Sequence, residues 1–229
     1  MREERELGTG SGSWQAVRPG RAPIVAVIGP FSGGTSCVAG VLHHLGVHMG
    51  RRFFAIGERE ERRTFEEVSL GEICRDAFSE PDGERRMSSP ALVARLEQWG
   101  DAQRCQAAAQ RTIGGGKHPL LCLMVPEVLA AWRPARILRV VRPLDRVVGS
   151  LRRRGWWGDF DLRDCVGRLI AARDAALQGV DHLTVDYDRL VDDPLGVIDD
   201  IVGYLELAPA GPYRLAAVEF INPRLRRVS

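Results

Sequence analysis

Eight residues, Gly29-Pro30-Phe31-Ser32-Gly33-Gly34-Thr35-Ser36, have the make-up of an anion cradle. The apolar, β-branched run Ile24 to Ile28 precedes them, and a helical apolar face of Val38, Val41, Leu42 and Leu45 follows. A strand, a tight loop and a helix N-terminus result. Backbone N–H groups of Gly33, Gly34, Thr35 and Ser36 then lack intrahelical partners and lie at the positive end of the helix dipole, so an anion is the natural ligand. The spacing is that of a GxxxxGK[ST] triphosphate loop with Thr35 in the lysine's place. Without that lysine nothing in the loop reaches the β- and γ-phosphates, which disfavours an ordinary ATPase or kinase.

The elements that must position this loop follow from hydrophobic patterning. Ile137 to Val141 and His182 to Val185 read as two further strands, and the glycine-rich Thr112 to Gly116 as a weak one whose glycines let a ligand or another backbone come close. Helices are expected over Leu120 to Trp132, Asp145 to Arg154, Leu162 to Leu177 and from Asp193-Pro194 onward. Strands alternating with helices give an α/β domain with a parallel sheet. Ligands bind such sheets beyond the carboxyl ends of the strands, and Gly29-Pro30, Lys117, Arg142 and Tyr187 all fall at such ends.

Residues 1–21 read as a loosely ordered tail and residues 22–229 as one domain. Residues 51–111 form an insertion with two amphipathic helices, one carrying Phe65, Val68, Leu70 and Ile73 and the other starting after Ser88-Ser89-Pro90. Such an insertion commonly serves as a lid or a substrate wall. Lys117 is the only lysine, and the net charge of +2 gives no reason to expect a nucleic-acid partner. Five scattered cysteines without CxxC spacing point to buried thiols in a reducing compartment, with neither a disulfide framework nor a zinc site. No apolar run approaches the roughly 20 residues that span a bilayer, and the charged N-terminus is unlike a signal sequence, so a cytoplasmic protein is expected.

The loop and the helix after it, ending Val41-Leu42-His43-His44-Leu45-Gly46-Val47-His48-Met49-Gly50, resemble the sulfotransferases that use 3′-phosphoadenosine 5′-phosphosulfate (PAPS), in particular bacterial members with G-x-x-R-S-G-T-S and L-L-x-x-L-G-V-x-M-G. Val140-Val141-Arg142-Pro143 to Ser150-Leu151-Arg152-Arg153 is similar to the family's strand ending in Arg and helix bearing Ser. Val185-Asp186-Tyr187-Asp188-Arg189-Leu190 to Pro194 resembles V-x-Y-[ED]-D-L-x-x-D-P, and Phe220 to Arg227 resembles F-[IV]-x-P-x-L-R-R. Within the insertion only Phe65-Glu66-Glu67 matches, against F-[FY]-E-[DN].

The resemblance implies a three-layer, P-loop-like α/β fold with a central parallel sheet and a helical insertion or lid. It implies that Ser32, Gly33, Gly34, Thr35 and Ser36 hold the 5′-phosphosulfate side of PAPS, that Arg142 and Ser150 grip its 3′-phosphate, that Tyr187 lies near the adenine and that Arg226 lies near the nucleotide. Transfer of the sulfuryl group to a hydroxyl or amine of a small-molecule or carbohydrate acceptor needs a base and a cation, with 3′-phosphoadenosine 5′-phosphate as product and no metal. His118 is the first choice of base, because imidazole titrates near neutrality, and Glu66 and Glu67 come next. Ser32 stands where the family usually has Arg or Lys, so Lys117 is the substitute cation. A kinase with an altered loop, and a nucleotide-binding protein without turnover, are the alternatives. The acceptor's identity and the oligomeric state are not written in the sequence.

Overall fold

The computed structural model describes residues 22–55, 63–209 and 211–221. The expected N-terminal tail and the segment containing Arg226 lie outside these residues. Strand β1, Ile24–Ile28, is buried along its whole length at the middle of a four-stranded parallel sheet. The order is β4, Gly114–Lys117; β1; β5, Ala135–Val141; and β6, Leu183–Asp186. A strand covered on both faces must be apolar on both. Ile24, Ala26 and Ile28 accordingly enter one core cluster, while Val25 and Val27 enter the other.

Helices complete the three layers. On one face lie α1, Thr35–His44; α8, Pro194–Tyr204; and α9, Gly211–Phe220. On the other lie α2, Val68–Ala77; α3, Ser89–Ala109; α4, Val125–Ala131; α5, Leu144–Arg153; and α6, Leu162–Ala176. The short α7, Tyr187–Asp192, begins where β6 ends. Asp186 caps it, its carboxylate accepting from the backbone N–H groups of Asp188 and Arg189 at 2.8 and 3.1 Å. Among the described residues no helix is long and apolar enough to cross a membrane.

Three local expectations change. Phe65 does not start a helix. It lies in β3, Arg63–Glu67, which pairs antiparallel with β2, Phe53–Ala55, so the insertion holds a two-stranded sheet besides its helices. Phe65 takes φ 54° and its ring packs 5.4 Å from that of Phe53. Secondly, the expected helix from Leu120 to Trp132 is divided into a 3-10 turn, Pro119–Leu123, and α4. Pro126 has no N–H for the helical ladder and would clash with the carbonyl one turn back, so the helix restarts there. Thirdly, not every thiol is buried: all five cysteines are free, but Cys105 is exposed and Cys37 half-buried.

The glycines of β4 serve close packing. The backbone of His48 runs beside them, accepting from Gly115 N–H at 2.9 Å. A Cβ at Gly115 would lie 2.7 Å from Met49 Sδ, and one at Gly116 would lie 2.6 Å from the Trp99 ring. Side chains on both faces therefore come as near as a bare strand allows.

Candidate functional site

The loop between β1 and α1 is shaped by three constraints. Ser32 has φ 56° and Gly34 φ 95°, both in the left-handed region that glycine tolerates best. A Cβ at Gly34 would lie 2.2 Å from Tyr187 Cδ2, so the tyrosine ring packs directly on the bare backbone. Gly33 N–H donates to Pro30 O at 3.0 Å and closes the turn, which removes it from the donors offered to a ligand. Thr35 and Ser36 open α1, where first-turn N–H groups have no partner within the helix.

Lys117 ends β4, paired in register with Val27, and so reaches the loop from below. Its Nζ donates to Ser36 Oγ at 3.2 Å and to Glu66 Oε1 at 2.5 Å. The lysine is 2% exposed and the Glu66 side chain 18%. Glu66 Oε2 in turn lies 3.9 Å from His118 Nε2. Burial raises the Glu66 carboxyl, but Lys117 and then His118 hold it below the ordinary carboxylate value, so it is ionised at neutral pH. Burial pushes the His118 imidazole down to about 4, against the pull of Glu66.

His118 is therefore neutral near pH 7, and its Nδ1 accepts the Leu120 N–H at 3.2 Å. A neutral imidazole with one nitrogen accepting carries its proton on the other. Nε2 is thus the donor nitrogen, facing Glu66. Glu67 is separate from this group: its carboxylate caps α2 through Leu70 N–H at 3.1 Å and accepts from Trp99 Nε1 at 3.2 Å.

The second half of the site is a crevice of about 640 Å³ between α5 and α7, lined by Arg142, Arg146, Gly149, Arg153, Tyr187 and Asp188 among others. Arg142 joins the two halves. Its Nη1 donates to Ser32 O at 3.1 Å, and its guanidinium carbon lies 4.6 Å above the Tyr187 ring. Arg142 Nε, Ser150 Oγ and Ser32 Oγ are buried with no hydrogen-bond partner among the described residues. Buried polar atoms are rarely left so; Ser32 and Arg142 are in direct contact, and Ser150 follows the crevice-lining Gly149 on α5.

The fold thus brings together Ser32, Gly33, Gly34, Thr35, Ser36, Glu66, Lys117, His118, Arg142 and Tyr187, with Ser150 buried on the helix that walls the crevice. Arg226 lies outside the described residues. Sequence reading missed Arg146 as a wall of the crevice and gave Asp188 no role, although these two form an ion pair at 3.4 Å across it. Helical spacing could have found them: Arg146, Gly149 and Arg153 recur at three and four residues, one face of α5.

No family model matches the chain, and no curated protein sequence does. Solved structures do. Sulfotransferase STF1 from Mycobacterium tuberculosis H37Rv superposes with a TM-score of 0.55 at 17% identity, over 86% of this chain and 70% of that one. Sulfotransferase STF9 from Mycobacterium avium gives 0.58 at 12% identity, over 88% and 68%. The sulfotransferase domain of the Synechococcus PCC 7002 olefin synthase gives 0.52 at 15% identity, over 90% and 82%. The chain has the fold of the bacterial sulfotransferases.

Proposed function

We propose that this protein is a PAPS-dependent sulfotransferase acting on a hydroxyl or amine of a small-molecule or carbohydrate acceptor. The observation that carries the reading is Arg142, whose guanidinium bonds the loop at Ser32 O and also lines the crevice with Tyr187, so that one cation joins the loop to a second basic site. Those residues suit the donor, with the first turn of α1 and Ser36 toward the 5′ side and Arg142, Ser150 and Tyr187 toward the 3′ side. The donor supplies an activated sulfuryl group and leaves as the 3′,5′-bisphosphate.

Lys117 is the cation of this reading. Its ammonium, fixed between Ser36 Oγ and Glu66 Oε1, stands beside the loop where negative charge grows on the departing phosphate. It takes over from the side chain that Ser32 does not provide. Glu66 is the base, in place of His118. The His118 lone pair is engaged by Leu120 N–H, while the Glu66 carboxylate is ionised, partly exposed and has Oε2 directed to no closer partner than His118 Nε2 at 3.9 Å. His118 Nε2, 3.9 Å from Oε2, is beyond hydrogen-bond distance and stands beside the carboxylate without holding it.

Calorimetry tests the donor assignment. The 3′,5′-bisphosphate binds much more tightly than ATP or 5′-AMP if the reading is right, and equal affinities overturn it. Ser32 favours one second reading, a protein that holds the nucleotide without turnover. Transfer of labelled sulfuryl to a panel of hydroxyl acceptors, with Glu66→Gln and Lys117→Ala as controls, separates the two: tight nucleotide binding with no transfer on the panel supports the binder.

A further inference from the structure

Arg75, whose charge acts on Glu66, has no ion-pair partner among the described residues. Thr64 ties the insertion's two strands together: its hydroxyl donates to Phe54 O at 2.8 Å and accepts Glu66 N–H at 3.2 Å. The half-buried Phe54 ring next to this tie carries the Arg75 guanidinium, whose carbon lies 4.3 Å from the ring centroid. Room for the stack is made by Gly71, where a Cβ would lie 2.6 Å from Phe54 Cε2 and 3.1 Å from Arg75 Nη1. The stack is therefore built, and it holds the flat face of the guanidinium in place.

Arg75 forms no ion pair among the described residues, although its charge is felt by Glu66, Glu80 and His118. A fork-shaped cation beside the base, half-exposed and unpaired, is a recognition element for a planar anion. Its acidic neighbours decide which anion. With Glu66 ionised nearby, a dianion such as a phosphate monoester is repelled, whereas a carboxylate brings one charge and matches the fork.

We infer that the acceptor is a hydroxy acid, whose carboxylate is held by Arg75 on the Phe54 platform while its hydroxyl is presented to Glu66. This rests on Glu66 being the base of the transfer reaction. Arg75 is then a specificity residue, with no part in donor binding or in the proton transfer.

The test uses calorimetry on the full chain with 3-hydroxybutyrate and 4-hydroxybenzoate against their methyl esters. The bisphosphate is titrated first and alone, and its failure to bind counts against the donor reading only. Each acid and ester is then titrated into both the free protein and the bisphosphate-saturated protein. At least one acid binds about tenfold or more tightly than its ester in the wild type. Arg75→Gln erases the difference, Arg75→Lys retains part of it, and neither variant changes ester or bisphosphate affinity or thermal midpoint appreciably. Equal binding of acids and esters, no binding of either acid, or an Arg75→Gln variant that weakens acid and ester alike overturns the inference.

Discussion

Lys117 Nζ and Glu66 Oε1 stand 2.5 Å apart although 51 residues separate them in the chain. The contact joins the end of the edge strand β4 to the insertion's small sheet, so one ion pair links the main sheet to the insertion. Breaking a buried pair by removing one partner costs about 3–5 kcal/mol, because the other charge stays behind. Glu66 keeps some solvent contact, so Lys117→Met is expected to lose about 3 kcal/mol, at the low end of that range. The double variant Lys117→Met/Glu66→Gln recovers most of that in urea denaturation, yet shows no sulfuryl transfer. Recovery of stability without activity separates the pair's structural part from its chemical part.

His118 makes the protein acid-sensitive. Its folded pKa of about 4 lies below the 6.5 of an ordinary imidazole, so between these values the unfolded chain binds a proton that the folded chain refuses. Stability therefore falls as pH falls, by about 3 kcal/mol in total between pH 7 and pH 4 from this group. Glu66 works in a lower window: its depressed pKa stabilises the fold above the ordinary carboxylate value, and that contribution is lost only as pH drops through the folded value. His118→Asn keeps an acceptor for Leu120 N–H and cannot titrate. Its denaturation free energy is expected to fall less steeply over this range than the wild type's, and parallel slopes would remove His118 as the cause.

The same substitution tests the choice of base. Loss of a general base costs about 10²–10⁴ in rate. Glu66→Gln should show a loss of that size in transfer at saturating donor, while His118→Asn stays within about tenfold of the wild type. A reversed order returns the role to the imidazole.

Why the sequence pointed to His118 first is physical. Near-neutral titration belongs to the residue type, but the burial that pushes it down and the turn that brings Leu120 N–H onto Nδ1 belong to the fold. The central strands were legible because burial on both faces leaves continuous apolar runs such as Ile24 to Ile28. β2 and β3 were not: their pairing is non-local, and Phe65 has a side chain suited to a helix face but a left-handed backbone. The crevice was half legible. Arg142 and Tyr187 could be placed at strand ends, whereas Arg146 and Arg153 are charged residues on an exposed helix face, and only the position of α7 opposite makes them walls.

Gly34 and Tyr187 predict a steric cycle. A left-handed φ costs a non-glycine residue about 1–2 kcal/mol, and at position 34 a Cβ also collides with the tyrosine ring. Gly34→Ala should lose stability by more than the backbone cost alone and weaken bisphosphate binding at least tenfold. Adding Tyr187→Ala relieves the collision but not the backbone cost. The double variant is then less destabilised than the sum of the two singles, and strict additivity would show that the contact is absent in solution.

Ser150 sets stability against binding. Its hydroxyl is buried and has no partner among the described residues, and leaving a buried polar group unsatisfied costs about 1–3 kcal/mol. Ser150→Ala removes the group that bears this cost and leaves the packing of α5 almost unchanged, so the free protein should gain about 1 kcal/mol in urea denaturation. If the hydroxyl is instead reserved for a phosphate oxygen, the same change removes a donor from a charged hydrogen bond, worth about 1.5–3 kcal/mol, and bisphosphate affinity falls roughly tenfold or more. Arg142→Lys gives the complementary measurement. It keeps the charge but loses Nε and the planar fork, so it should weaken the bisphosphate strongly without stabilising the free protein. Opposite signs for stability and affinity at Ser150 are the signature of a residue held ready for a ligand. A variant that loses stability, or that binds the bisphosphate as well as the wild type, would show that the hydroxyl has another partner and would move the 3′-phosphate away from α5.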